Sequence, residues 1–273
     1  MSSLVVESAA GIVFRLSKNE SVAAGYDREA QVLLRAAPYL DLPVPNPKWC
    51  ASPSKLAPYG VLGYPKLTGV PLHKGHLEIL DWHRIADDLG RFLRQLHSTP
   101  VEEFVDLDLP LFHSRPEALN QMQQNVLPHL ETALSLGEYH EVRRWWEKFA
   151  ADERMQSYEP VLVHGDLFYA NVLVDEEVSE VAAVLDFEDA TLGDPAQDLA
   201  VQHHLGQEFA EAVLAVYTQE CGGMDGLLEH RVRQLWILRE FSGLMCFLQT
   251  DNESEVDECV WKLRHGPLFR GAA

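Results

Sequence analysis

The chain has little with which to cross-link itself, grip nucleic acid or enter a membrane. Its four cysteines, Cys50, Cys221, Cys246 and Cys259, are widely spaced and never form a CxxC pair. That argues against a disulfide framework or a zinc site, and it fits a reducing compartment, the cytoplasm. Basic residues are scarce: 22 Lys and Arg stand against 42 Asp and Glu, and the formal net charge of -20 opposes binding to a phosphate backbone. No apolar run is long enough to span a bilayer. The first residues, MSSLVVESAAGIVF, lack the basic stretch that opens a secretory signal. Internal repeats, low-complexity tracts and a GxGxxG loop are absent as well. Neither nucleic acid nor membrane is therefore an expected partner.

The chain is rich in core-forming side chains. Apolar residues make up 47% of its 273 positions, enough for one large domain or for two lobes that share a cleft. The acidity serves solubility, or part of it lines a cleft for a cationic substrate; charge alone does not separate the two.

The periodicity changes along the chain. Leu4 to Ser8 and Ile12 to Ser17 read as strands joined by Ala9-Ala10-Gly11, a hairpin. Residues 21–37 have helical spacing at Val22, Tyr26, Leu33 and Leu34, with Ser21 as N-cap. The run Leu42-Pro43-Val44-Pro45-Asn46-Pro47 must be extended or turning. Trp49 onward and Gly60 to Leu67 read as two more strands, and Thr68-Gly69 as a turn. From about residue 78, Ile79, Trp82, Ile85, Leu89, Phe92, Leu93 and Leu96 fall on one helical face. Residues 106–116 form a linker. Residues 117–150 are helical, in two pieces broken near Pro128 or Gly137. Short strands follow at Val161 to Val163 and Val181 to Asp186, then helices over about 208–220 and 226–249. The layout is α+β: strands first, helices later.

The chemistry concentrates in residues 160–200. Asp166 and Asn171 lie on a loop directly after a strand, with four residues between them, and Asp186 ends a second apolar run. A hairpin through Asp175 to Glu180 would return the second strand beside the first and set Asp186 near Asn171. Two carboxylates and an amide in that arrangement suit phosphoryl transfer. One carboxylate, Asp166, orients an alcohol and accepts its proton; the other, Asp186, supplies hard oxygen to Mg²⁺ together with Asn171. Asp175, Asp189, Asp194 and Asp198 read as turn or cap residues. His164 reads as a brace for the loop, and His203 and His204 as ordinary helix residues.

HGDLFYANVLVD followed by VLDFEDATLGDPAQDLA resembles the aminoglycoside phosphotransferase and choline kinase superfamily, which shares the protein-kinase fold. His164-Gly165-Asp166 with Asn171 matches that family's catalytic loop, and Asp186 its metal-binding aspartate. Gly193-Asp194-Pro195 with Asp198-Leu199-Ala200 matches the segment that follows. FRLSK, DREAQVLLRAAPYLDLPVPNP, GYPKLTGVPL and RFLRQLHS extend the resemblance over most of the chain, toward the branch that acts on the 2″-hydroxyl of aminoglycosides, with macrolide kinases near in pattern.

The resemblance implies a bilobal protein-kinase-like fold. Residues 1–69 would form a small, β-rich and shortened nucleotide-binding lobe with a hinge near 63–69, and residues 70–273 a larger helical lobe with the catalytic loop and acceptor pocket. It also implies a strand cation that holds phosphates, fixed by a helix glutamate. Glu29 is that glutamate. Arg15 is the preferred cation, with Lys18 the rival on the opposite strand face. The purine edge would meet the backbone of Gly63 to Leu67, at Tyr64, Lys66 and Leu67; an ordinary edge strand is compatible with the same placement. Relatives carry a further strand and a phosphate-covering loop before this point. Either the chain is internal to a longer product, or the lobe is short.

Residues 233–251 carry Trp236, Glu240 and Asp251, and Glu240 is the candidate to face a cationic acceptor. Trp145, Trp146 and Trp236 line an apolar pocket or, by default, a core. The expected activity is phosphoryl transfer from ATP or GTP, with Mg²⁺, to a small-molecule hydroxyl. A kinase for a metabolite alcohol, sugar or macrolide is the rival within enzymes, and a non-catalytic binding protein the rival outside them.

Overall fold

The structure, a computed structural model, describes residues 3–51, 53–55, 57–77, 82–109, 116–177, 179–219, 226–250 and 252–269. Strands β1 (Ser3–Glu7) and β2 (Ile12–Ser17) form the predicted hairpin, in antiparallel register from Ser3 opposite Ser17 to Glu7 opposite Val13. Gly11, at φ 69°, supplies the left-handed turn and donates its N–H to the Ser8 carbonyl.

Helix α1 (Glu20–Ala36) follows and buries Tyr26, Ala30, Val32, Leu33 and Ala36. It begins one residue before the predicted cap, so Ser21 lies inside it. The Asn19 N–H is already turned onto Ser17 Oγ at 3.3 Å, and that local turn starts the helix early. The proline-rich run, read as extended or turning, forms neither helix nor strand and leads to β3 (Trp49–Ala51) and β4 (Val61–Pro65). These complete an antiparallel sheet in the order β1-β2-β4-β3. Leu4, Val5 and Val6 of the edge strand β1 are exposed.

Strand β5 (Val70–Pro71) and the short helix α2 (Lys74–Leu77) precede α3 (His83–His97). The predicted apolar face of α3 is buried at Ile85, Leu89, Phe92, Leu93 and Leu96, each worth about 1.5–3 kcal/mol. Ile79 lies outside the described residues. Helices α4 (Pro116–Ala133) and α5 (Leu136–Ala150) are the two expected pieces, and they part near Gly137 rather than near Pro128, which lies within α4. The break is at Ser135, which caps α5 in a reciprocal box with Glu138. Strands β6 (Val161–Val163), β7 (Val172–Val174), β8 (Val181–Val184) and β9 (Thr191–Gly193) come next, then α6 (Ala196–Val201), α7 (Gln207–Thr218), α8 (Leu228–Gln249) and α9 (Glu253–His265). Strands β5, β7 and β8 make one small sheet; β6 and β9 pair in another.

The chain divides into two compact units. One comprises Met1–Pro110 and Pro160–Gly222 and contains the three sheets found among the described residues. In it α3 and α7 approach closely because position 90 is glycine: a Cβ there would stand 2.7 Å from the Val216 side chain and 2.9 Å from the Val213 carbonyl. The other comprises Leu111–Glu159 and Gly223–Ala273. Its core brings Val126 and Leu130 together with Trp145, Trp146, Phe149, Phe241 and Leu244.

Candidate active site

Strand β6 delivers the chain into His164-Gly165-Asp166. Gly165 has φ 84°, and a Cβ there would lie 2.3 Å from the Asp189 carbonyl oxygen, so only glycine passes. The buried His164 holds both ends of the site. Its Nε2 lies 2.8 Å from the Leu185 carbonyl, and its Nδ1 lies 3.3 Å from the Asp166 N–H. A carbonyl only accepts and an N–H only donates, so the ring carries its proton on Nε2. His164 is thus a brace, as its place in the sequence suggested.

Asp166 is half-buried. A 3-10 turn, Tyr169–Asn171, then returns Asn171 to it: the amide nitrogen donates to the Asp166 carbonyl at 2.9 Å and stands 3.5 Å from Oδ2. The nitrogen is the donor end of the amide, and the oxygen is its acceptor end. The hairpin of β7 and β8 closes through Asp175, whose carboxylate accepts from Ser179 and Glu180. The Leu185 N–H reaches the Asn171 carbonyl at 2.8 Å, so Asp186 emerges beside Asn171 as the spacing predicts.

Asp186 has φ 65°, the one left-handed non-glycine position among the described residues. Such strain recurs where the surroundings fix a functional side chain. Its buried Oδ1 has no hydrogen-bond partner, and Arg15 Nη1 stands 3.3 Å away. No group of three or more His, Cys, Asp or Glu among the described residues is arranged for a metal. Magnesium does not need one. It keeps several waters and takes few hard oxygens, and the Asp186 carboxylate with the Asn171 amide oxygen is such a set.

Across from Asp186, Arg15 projects from β2 and is buried. Nη1 meets Glu29 of α1 at 2.6 Å, and Nη2 meets Glu188 at 2.6 Å. Burial opposes the guanidinium charge, but Glu29, Asp186 and Glu188 more than offset it and raise its pKa. Burial lifts the Glu29 carboxyl to about 7; Arg15 works against that lift, and Asp186 and Glu188 add to it. Lys18 is exposed, past the end of β2. Of the two cations weighed from the sequence, Arg15 is the one brought together with Glu29 and Asp186.

The loop is anchored from behind by residues whose role the sequence reading missed. Asp198 sits within α6, not in a turn. Its carboxylate accepts the His164 N–H at 2.7 Å and the Gly165 N–H at 3.0 Å. His97, the last residue of α3, reaches Asp198 at 3.1 Å through Nε2 and Tyr217 Oη at 3.0 Å through Nδ1. Burial alone would raise the Asp198 carboxyl, but His97 and the loop N–H hold it below its usual range. His97 follows Leu93 by four, so the helical period already placed it on the buried face. Glu188 lies in a turn two residues after the left-handed Asp186, and no regular period in the sequence points it at Arg15.

Tyr64 lies in β4, half-buried. Burial pushes its hydroxyl up to about 12, Arg15 works against that rise, and Glu29 and Asp186 add to it. Lys66 and Leu67 follow directly. The Lys66 N–H donates to the Gly11 carbonyl, and its ammonium pairs with Glu7 at 2.8 Å. In the other unit, Glu240 is half-buried on α8 and acts on Lys262 and Cys259 of α9. Trp145 and Trp146 are core residues there, and Trp236 is half-buried. Asp251 lies outside the described residues.

A model of the phosphotransferase enzyme family matches residues 3–233. The uncharacterized protein YcbJ of Bacillus subtilis (strain 168) is 24% identical over 210 residues, 72% of this chain and 66% of that protein. The chain thus spans just under two thirds of that relative's length. Among solved structures, the GDP complex of wild-type aminoglycoside 2′-phosphotransferase IIIa aligns with a TM-score of 0.80 at 20% identity, over 97% of this chain and 89% of that one. The macrolide 2′-phosphotransferase MphH from Brachybacterium faecium aligns over the same shares, 97% and 89%, with a TM-score of 0.66 at 23% identity. The fold is accordingly the α+β, protein-kinase-like one expected from the sequence.

Proposed function

Because the chain belongs to the phosphotransferase enzyme family, we propose that it transfers the terminal phosphoryl group of ATP or GTP to a hydroxyl group of a small molecule. The carrying observation is the convergence of Asp166, Asn171, Asp186 and the Arg15–Glu29 pair in one unit. Asp166 orients the acceptor hydroxyl and takes its proton. Asn171 and Asp186 hold Mg²⁺, which when bound neutralises charge on the phosphates. Arg15, fixed by Glu29, faces the phosphates, with Lys18 the secondary candidate. Tyr64, Lys66 and Leu67 bound the purine, so residues 1–69 serve the nucleotide and 70–273 the chemistry and the acceptor.

The acceptor we favour is a cationic amino sugar, which would make the protein an antibiotic-resistance kinase of the cytoplasm. The -20 charge supports that choice, as do structural neighbours named for complexes with kanamycin and gentamicin. Glu240 is the proposed contact for an amino group. A macrolide or metabolite alcohol is the second reading, favoured by the macrolide phosphotransferase neighbours. The test is nucleotide consumption across a panel of aminoglycosides, macrolides, sugars and amino alcohols, run beside Asp166→Ala. We expect turnover with an aminoglycoside and its loss in Asp166→Ala, with nucleotide affinity kept. Turnover retained in that variant would remove Asp166 from its role.

A further inference from the structure

One guanidinium stands among three carboxylates. Arg15 turns Nη1 to Glu29 at 2.6 Å and to Asp186 at 3.3 Å, and it turns Nη2 to Glu188 at 2.6 Å. Both prongs of the fork are therefore committed to the protein's own acids. The three acids differ in how firmly they are held. The Glu29 side chain is 1% exposed and clamped between α1 and the sheet, whereas the Glu188 side chain is 33% exposed. Asp186 is fixed by its left-handed backbone and by the strand bond just before it. The backbone of Glu188 is pinned too, because Phe187 is buried against the His164 ring at 4.5 Å. The Asp186 side chain is more exposed still, at 39%, but it is the proposed metal ligand, which leaves Glu188 as the acid on the prong that a phosphate oxygen would take.

We propose that Glu188 is an internal stand-in for phosphate, an intramolecular latch on Arg15 that the nucleotide's phosphate oxygens displace. The inference rests on the phosphotransferase reading above and adds a residue to it. Two carboxylates at the two prongs imitate the paired oxygens that a guanidinium takes from a phosphate. A lysine could not hold both in that geometry, so Arg15 and Glu188 form a matched pair. The latch keeps Arg15 aligned when the site is empty. It also sets a threshold, since a nucleotide without its cation must compete with a carboxylate already in place.

The experiment measures calorimetric affinity for ADP and GDP in EDTA, and again with Mg²⁺, in wild type and in Glu188→Gln. The latch predicts metal-free affinity about tenfold tighter in Glu188→Gln, from a charged hydrogen bond no longer displaced. It also predicts a lower melting temperature of the nucleotide-free protein. In an Arg15→Lys background the same substitution should change affinity little, and Glu188→Asp should fall between the two. Unchanged or weaker metal-free affinity in Glu188→Gln overturns the latch. So does loss of only the Mg²⁺-dependent gain, which would make Glu188 a metal ligand. If wild type binds neither nucleotide even with Mg²⁺, the phosphotransferase reading fails. Binding that appears only on removing Glu188 would show a carboxylate that phosphate cannot displace, which overturns the latch, and no binding in either protein sinks both.

Discussion

His164 Nε2 lies 2.8 Å from the carbonyl oxygen of Leu185, so the residue two before Asp166 is tied to the residue just before Asp186. The two acidic residues of the site are thereby registered through one imidazole. Replacing His164 by Ala should cost about 1–3 kcal/mol of stability, because the Leu185 carbonyl is left without its donor. Turnover should fall more than nucleotide affinity. Paired unfolding and steady-state measurements check this, and equal losses in kcat and affinity would count against a registering role.

The left-handed backbone of Asp186 separates charge from conformation. Asn tolerates φ 65° about as well as Asp does, whereas Ala meets a penalty of about 1–2 kcal/mol there. Asp186→Asn should therefore keep wild-type stability and lose Mg²⁺-supported nucleotide binding. Asp186→Ala should lose both, and Asp186→Gly should be the least strained of the three. Chemical denaturation gives the stability order; a destabilised Asn variant would contradict it.

Asp198 is the anchor on which the catalytic loop hangs. Asp198→Ala leaves the His164 and Gly165 N–H groups and His97 without their acceptor inside a buried site, at a cost of about 3–5 kcal/mol. His97→Asn and Tyr217→Phe remove outer members of the same chain of bonds and should cost progressively less. Melting temperatures of the three variants test that order.

Glu138 gives the second unit a pH dependence of known sign. The Ser135 N–H, then Arg264 and the Ser135 hydroxyl, lower its carboxyl from 4.5 to about 2. Because the folded value lies below the unfolded one, its contribution is complete above pH 4.5 and drains away as the pH falls toward 2. The stability gap between wild type and Glu138→Gln should stay level from pH 7 to about pH 5 and narrow as the pH falls from 4.5 toward 2. A gap that does not change with pH would remove the carboxylate from the cap. Ser135→Ala should cost about 1 kcal/mol at neutral pH.

The sequence shows local order and hides long-range partners. The β7–β8 hairpin was legible because Asp175 to Glu180 is a compact turn between two apolar runs, and its closure carries Asp186 to Asn171. The α3 face was legible because its period is 3.6. The clamp of Asp198 on the loop was not, since its partners lie 34 and 33 residues away and an aspartate near a helix start reads first as a cap. Glu188 was hidden in the same way: its cation is 173 residues distant. Proline misled at α4, which runs through Pro128; the break lies beside Gly137, where the capping pair Ser135 and Glu138 starts the next helix.

Strand β1 sits at a sheet edge with Leu4, Val5 and Val6 facing solvent, on a chain of charge -20. Copies of such a chain should behave as a charge-stabilised colloid with an adhesive rim. At low ionic strength the net charge holds copies apart. Near 1 M salt the screening length contracts to about 3 Å, and the apolar strand edge should then be free to draw copies together. Light scattering should show dispersed particles in dilute buffer and reversible growth as salt rises.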